Sequence, residues 1–248
     1  MKAMILAAGL GTRLRPLTND RPKALVEVAG RTLLEITLTR LRSFGVREVI
    51  INVHHFAEMV LGYLVRNDSF GMRIEVSREE TLLDTGGGLK KAAHFFLETS
   101  SDAKTPFLVH NVDVISAIDL DRMLRFHTEN QALATLAVQD RETSRSLLFD
   151  QHLRLCGRRS EHDREDNLVR SCNAAQPLAF CGIHVISPNL LSLLKEEGAF
   201  SITDAYLGLA AQGERIVGFR ADEYYWRDVG SPANLQQADE DSAKQPLW

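Results

Sequence analysis

Three groups of residues in this chain have types and spacings suited to phosphate chemistry. The first is the stretch Met4-Ile5-Leu6-Ala7-Ala8-Gly9-Leu10-Gly11-Thr12-Arg13-Leu14-Arg15-Pro16-Leu17-Thr18, followed by Pro22-Lys23. An apolar run feeds two glycines one residue apart, and these lead into Thr12, Arg13, Arg15 and Lys23. Glycines let the backbone turn tightly and bring amide groups close to a polyphosphate, while Arg and Lys add charge. The plainer alternative is a strand ending in a solvated turn. The second group is Asp84-Thr85-Gly86-Gly87-Gly88, a glycine-rich turn opening a helix with Asp84 or Thr85 as its cap. Such a terminus can admit a flat or anionic ligand, or it is only a capped helix with a flexible lead-in. The third is a pair of acids, Asp113 just after Asn111 and Asp228 before Val229-Gly230, almost half the chain length apart. Mg²⁺ takes one or two protein carboxylates together with phosphate oxygens and water, so two aspartates at one site suit a metal-bound phosphate. Each aspartate alone reads equally as a turn or cap residue.

These groups need a frame that brings them together. Leu33, Leu34, Leu38, Leu41 and Phe44 line one face of a helix over 31–44, and Gly45 stops it. A buried strand over 49–53 follows, then a helix over 56–65 with Met59, Val60, Leu64 and Val65 apolar, and a short strand over 73–76. A strand over 106–110 delivers Asn111 and Asp113 at its end, ahead of a helix over 119–130 and a strand over 132–138. Alternating strands and helices imply an α/β three-layer sandwich with a mostly parallel central sheet. Right-handed crossovers place the C-terminal strand ends on one edge, where such sheets bind ligands.

Beyond residue 138 the pattern is less even. Residues 147–150 and 153–157 suggest a hairpin turning near Gln151-His152, and 158–175 read as a long mobile loop. A strand over 177–185 contains Gly182, which permits close approach of something flat or of another backbone. Helices are expected over 188–195 and 202–211 and a strand over 214–220. Ser231 then caps a last helix with Pro232 at its first position, and the tail turns polar beyond 238. The organisation expected is one domain over 1–248: a nucleotide-binding core (1–138), an acceptor-side part with a small β elaboration (139–230), and a C-terminal helix and tail (231–248).

A net charge of −4 from 29 basic and 33 acidic side chains, without long runs of either sign, argues against a nucleic-acid surface. The three cysteines, Cys156, Cys172 and Cys181, share no metal-site or disulfide-framework spacing. No apolar run approaches the roughly 20 residues that span a bilayer, and the N-terminal run is too brief for a signal peptide. A cytoplasmic enzyme is expected. His54, His55 and His110 lie at strand ends but lack zinc spacing, so hydrogen bonding either just behind the site residues or in the core is the reading adopted for them.

The opening stretch resembles the signature of the sugar-1-phosphate nucleotidyltransferases, Leu-Ala-Ala-Gly-x-Gly-Thr-Arg-Leu-x-Pro-Leu-Thr with a following Pro-Lys. Trp226-x-Asp228-Val229-Gly230-Ser231-Pro232 is similar to a second motif of that family. The resemblance implies a Rossmann-like fold and transfer of a nucleotidyl group from an NTP to a sugar-1-phosphate, with Mg²⁺ and release of pyrophosphate. It implies that Arg13 clamps the β- and γ-phosphates and that Lys23 contacts the α-phosphate or the incoming sugar phosphate. Ala7, Ala8, Gly9, Gly11 and Thr12 would lie on the nucleotide, with Asp84, Gly87 and Gly88 near base and ribose. Asp84 stands where the family has Glu. Asp113 and Asp228 would hold the metal, and Asn111 and Gly182 would face the sugar. A Glu-Lys-Pro segment whose lysine binds the acceptor phosphate in many relatives is absent between Gly157 and Pro177, with Arg158 or Arg159 as substitutes. Length and this absence look more like the N-acetylmuramate-1-phosphate uridylyltransferase branch. Guanylyl transfer to mannose- or heptose-1-phosphate, cytidylyl transfer to phosphocholine, and a catalytically silent nucleotide-binding regulator are the alternatives.

Overall fold

A computed structural model describes residues 1–98, 105–160 and 166–244. Its sheet is built on the apolar strand β1 (Lys2–Leu6), which the sequence places in the centre because its residues are buried on both faces. On one side of β1 lies β4 (Glu48–Val53) and then β5 (Arg73–Arg78), and on the other β6 (Phe107–Asn111), all parallel. Two small ladders sit outside this sheet. One joins β2 (Glu27–Val28) to β3 (Arg31–Thr32), and the other joins β7 (Val114–Ser116) to β14 (Trp226–Asp228).

Next to β6 comes the long strand β12 (Gln176–Ile186), antiparallel, then β8 (Ala134–Gln139) and β13 (Ile216–Arg220). Across this central sheet every strand runs the same way except β12. The first residues of β12 also pair with β9 (Arg145–Phe149), which continues through β10 (Leu155–Ser160) to β11 (Asn167–Leu168) as an antiparallel ladder. The register of β12 against β8 shifts between Phe180 and His184, and Gly182 lies in that shift at φ +72°. A residue with a Cβ is strained there, so the bulge that turns β12 from one set of partners to the other depends on glycine.

Helices α1 (Leu33–Ser43), α2 (Ala57–Arg66), α5 (Leu120–Glu129) and α8 (Pro232–Lys244) pack on one face. Helices α3 (Asp84–Lys91), α4 (Ala93–Leu97), α6 (Asn189–Leu193) and α7 (Ile202–Ala211) pack on the other. The strands feed both layers: Ala3 and Ile5 enter one core, Met4 the other. Each fully buried Leu, Ile or Phe contributes roughly 1.5–3 kcal/mol. Thr32 caps α1 by accepting from Glu35 N–H at 3.1 Å, the start of a capping box.

Several expectations need correction. Met59 and Val65 on α2 point outward, leaving Val60 and Leu64 to the core. The stretch 158–175 is not one irregular loop, since Arg158, Arg159 and Ser160 end β10 and Asn167–Leu168 pair with it. Residues 161–165 of that stretch lie outside the described residues. α6 is shorter than expected. The last helix does not stop near 238: Ala238 is fully buried and α8 runs on to Lys244.

Candidate active site

The opening loop leaves β1 at the C-terminal edge of the sheet, where the ends of β4 and β6 lie beside it. Gly11 has φ +63°, and a Cβ there would stand 2.9 Å from Thr18 Cγ2 and 3.2 Å from Lys23 Cβ. Thr18 Oγ1 donates to the Gly11 carbonyl at 2.8 Å, which folds the loop back so that the Pro22-Lys23 turn lies under it. The loop is tied to the sheet by buried polar side chains. Asn52, at the end of β4, accepts the Ala7 amide at 2.8 Å and donates to Glu79 Oε1 at 2.7 Å. The other Glu79 oxygen accepts the Leu83 amide at 3.0 Å, just ahead of α3. One buried network therefore fixes the loop relative to α3, and each member is satisfied, as buried polar groups require.

A cavity of about 310 Å³ opens above this network. Ala7, Ala8, Gly9, Gly11, Thr12, Arg13, Lys23, Asn111 and Asp113 line it on one side, Asp84 and Thr85 on another. Asp228, which is not on its walls, comes up beside Asp113. Antiparallel pairing of β7 with β14 sets Asp228 opposite Val114, and the Val229 amide donates to the Asp113 carbonyl at 2.7 Å. Lys23, mostly buried, forms an ion pair with Asp113 Oδ2. Asp228 Oδ1 is buried without a hydrogen-bond partner among the described residues. Burial pushes the Asp228 carboxyl up from its ordinary value, and the Asp113 charge adds to this, while Lys23, Arg13 and Arg141 oppose it. A buried carboxylate oxygen with nothing to accept, beside a second carboxylate, is a donor set that fits a hard divalent cation. A Cβ on Gly230 would stand 2.5 Å from Asp228 Oδ1 and 2.7 Å from Arg13 Nη2, so glycine is what lets the Arg13 guanidinium lie against this part of the cleft.

A second cavity of about 690 Å³ adjoins the first, and Asp84, Thr85 and Asn111 line both. Its far walls are Arg145, Ser146, Leu147, Arg158, Arg159 and Ser160 from the β9–β10 ladder, Phe180 and His184 from β12, and Ser201 to Asp204 at the start of α7. Pairing puts Arg158 opposite Leu147 and Arg159 opposite Ser146, and both arginines reach the cavity. Arg158 is ion-paired to Asp204 at 2.6 Å on α7, and Arg159 to Asp166 at 2.6 Å.

Gly87 and Gly88 are not on either cavity. Gly86–Gly88 lie inside the first turns of α3, where a Cβ on Gly87 would meet the Gly198 carbonyl at 2.3 Å and one on Gly88 would meet Asn52 Nδ2 at 2.7 Å. Neither Asp84 nor Thr85 caps α3: Asp84 is its first residue at φ +56°, and Thr85 Oγ1 instead accepts the Ile202 amide at 3.0 Å. Gly182 also lies off the cavity walls and packs against the Asn111 amide, 2.7 Å from where its Cβ would be. Of the histidines singled out in the sequence, His55 is exposed and not a core group, His54 is half-buried with Nδ1 2.8 Å from the Glu79 carbonyl, and His110 is a core group. His110 and His184 are buried, and burial drops them to about 4 and about 3. His110 Nδ1 lies 2.8 Å from the Asn111 carbonyl and His184 Nδ1 2.7 Å from Tyr206 Oη.

Residues 2–146 match the nucleotidyl transferase family. The chain belongs to that family. Over 247 residues it is 37% identical to the N-acetylmuramate alpha-1-phosphate uridylyltransferase of Caulobacter vibrioides, covering 93% of this chain and 92% of that protein. It is 30% identical to a mannose-1-phosphate guanyltransferase of Pichia angusta over 95% of this chain, which spans 62% of that protein's length. Two solved structures share the fold. HddC from Yersinia pseudotuberculosis complexed with GMP-PN has a TM-score of 0.75 at 21% identity, covering 97% of this chain and 98% of that one. UDP-glucose pyrophosphorylase from Acinetobacter baumanii has 0.79 at 20%, covering 99% and 94%. This nucleotidyl transferase family member is accordingly an enzyme of the sugar-1-phosphate nucleotidyltransferase class with a Rossmann-like fold. Among the described residues no helix is long and apolar enough to cross a membrane.

Three residues that act on the site escape a reading of the sequence motifs: Asn52, Glu79 and Arg141, whose charge reaches Asp228; Gly230 was read as part of a motif but without a role. Asn52 had a signal, a polar residue inside the otherwise apolar run Val49-Ile50-Ile51-Asn52-Val53. Glu79 and Arg141 had none, since both sit among other charged residues in connecting segments.

Proposed function

We propose that the protein transfers the uridylyl group of UTP to N-acetylmuramate-1-phosphate, or to a closely related sugar-1-phosphate, with Mg²⁺ and release of pyrophosphate. The observation that carries this reading is that Arg13, Lys23 and Asp113 line one cleft, with Asp228 beside Asp113 and its Oδ1 buried and unpartnered among the described residues. The branch is favoured by the relative from Caulobacter vibrioides, which matches along nearly all of both chains.

The sugar phosphate is already an anion at neutral pH, so the reaction needs no side chain to remove a proton. One of its oxygens attacks the α-phosphorus of the NTP in line, and the bond to the pyrophosphate oxygen breaks. The obstacle is bringing two anions together and holding the charge that builds on them. Amides of the opening loop and Arg13 hold the donor phosphates, and Lys23, fixed by Asp113, presents its ammonium where donor and acceptor phosphates meet. Asp113 and Asp228 would hold the metal, which when bound supplies Lewis-acid polarisation of phosphate oxygens. Asn111 lies on both cavities and is positioned by Gly182, suiting it to bridge nucleotide and sugar. Fixing the two substrates in line supplies much of the remaining acceleration.

Incubating the protein with Mg²⁺, each NTP and a panel of sugar-1-phosphates tests this. Pyrophosphate release is expected to be fastest for UTP with N-acetylmuramate-1-phosphate. Release for another pair revises the substrate, and silence across the panel overturns the reading.

A further inference from the structure

The donor side of the cleft carries two cations, Arg13 and Lys23, both from the opening loop. The acceptor must bring its own phosphate to the same aspartates, and the arginines of the second cavity are badly placed to meet it. Arg158 is engaged with Asp204 and Arg159 with Asp166, and these two and Arg145 all sit on the ladder β9–β10, none of them among the charges that reach Asp228.

Arg141 is placed differently. It follows β8 directly, and its guanidinium lies 3.8 Å from the ring centroid of Trp226, two residues before Asp228 on β14. Its Nη2 donates to the Phe180 carbonyl at 3.0 Å, and Phe180 is a wall of the second cavity. Trp226 in turn donates its indole N–H to the Cys181 carbonyl at 2.7 Å, so arginine, tryptophan and the β12 bulge form one locked unit. This unit sits where the wall of the acceptor cavity meets the strand that carries Asp228. Arg141 Nε is buried without a hydrogen-bond partner among the described residues. A half-buried guanidinium held flat on an indole has lost little freedom and keeps N–H groups to offer, the condition in which Arg binds a phosphate well. Its charge also reaches Asp228, alongside those of Lys23 and Arg13, and neither Arg158 nor Arg159 shares that influence.

We propose that Arg141 is a substrate-binding residue that contacts the phosphate of the incoming sugar-1-phosphate, the acceptor-side counterpart of Arg13 and Lys23. The inference rests on the reaction proposed above. Arg141 thereby takes the place that the sequence alone assigned to Arg158 or Arg159.

The experiment compares wild type with Arg141→Met, Arg141→Lys and, as a control, Arg125→Met, an exposed arginine of α5 that lines neither cavity. It uses KM for the sugar phosphate, KM for the NTP, equilibrium binding of N-acetylmuramate-1-phosphate by calorimetry, and Tm. A charge-assisted contact to phosphate predicts a roughly ten- to hundredfold rise in acceptor KM and Kd for Arg141→Met, with the NTP KM within about twofold of wild type. Arg141→Lys recovers part of the loss, and Arg125→Met changes neither constant. Acceptor binding undiminished in Arg141→Met overturns the proposal. So does a loss spread equally over both substrates with a lowered Tm, which marks Arg141 as a packing residue. Binding and turnover by wild type with an unaffected Arg141→Met leave the reaction standing and remove only this residue. A wild-type protein that binds no sugar phosphate removes both readings together.

Discussion

Two glycine-rich stretches look alike in the sequence and do opposite things in the fold. In the opening loop, Gly9 has nothing within 4 Å of where a Cβ would be, and it lines an open cavity with Gly11. In α3, Gly86, Gly87 and Gly88 are buried, and the space their missing side chains leave is filled by Phe200, Gly198, Asn52 and Glu79. Gly86 N–H donates to the Phe200 carbonyl at 2.9 Å, so the start of α3 is sealed by the segment that leads into α7. The first stretch presents backbone to a ligand, and the second lets two parts of the chain come together. Absence of a Cβ serves both uses, and only what approaches from outside tells them apart.

That contrast predicts where mutations act. The largest effect belongs to the acids beneath the open loop: Asp113→Asn or Asp228→Asn lowers turnover by about three orders of magnitude, the scale of several kcal/mol of lost charge stabilisation. In Asp228→Asn the Tm holds or rises, because an ionised carboxylate buried beside Asp113 is costly to the fold. Near-normal kinetics in either variant removes that residue from the site. Next, Arg13→Ala lowers kcat/KM roughly a hundredfold while the melting curve stays in place, since Arg13 is exposed and touches the site rather than the core.

Gly87→Ala reverses the pattern. Its Cβ would collide with the backbone oxygen of Gly198, which cannot swing away, so stability falls by about 1–3 kcal/mol, several degrees in Tm. Gly9→Ala leaves Tm unchanged and weakens only nucleotide affinity. A Gly9 variant that melts early, or a Gly87 variant that melts like wild type, breaks the comparison.

The smallest effect is on pH dependence. His110 and His127 are lowered to about 4 and His184 to about 3, chiefly by burial, against an ordinary value of 6.5. The unfolded chain therefore binds protons that the folded one refuses. Stability is whole above about pH 6.5 and is lost as pH falls from there through 4. Melting curves between pH 7.5 and 4.5 should show this decline, and a flat profile would mean these rings are protonated in the fold.

Much of the frame was legible because it is encoded locally. Strands β1, β4 and β6 and helices α1, α5 and α7 announce themselves through apolar periodicity, and the structure adds the caps Thr32 and Asp119. The acceptor side was harder to read. The β10–β11 pairing depends on a polar stretch without periodicity, and Met59 and Val65 are apolar residues that the packing of α2 leaves outside. Gly87, Gly88 and Gly182 were read as ligand-facing, and they instead let Gly198, Asn52 and Asn111 approach.

By itself the sequence determined the chemistry on offer: a loop whose glycines, Arg13 and Lys23 suit a triphosphate, and two aspartates suited to a metal. It also determined the class of fold, since alternating strand and helix patterns have few ways to bury both faces of a sheet. The tertiary structure decided which residues meet. The β7–β14 ladder carries Asp228 to Asp113, Asn52 and Glu79 lock the loop to α3, and Trp226 holds Arg141 against the Phe180 carbonyl of β12. These meetings depend on long-range pairing, which leaves no mark on the neighbours of any one residue in the chain.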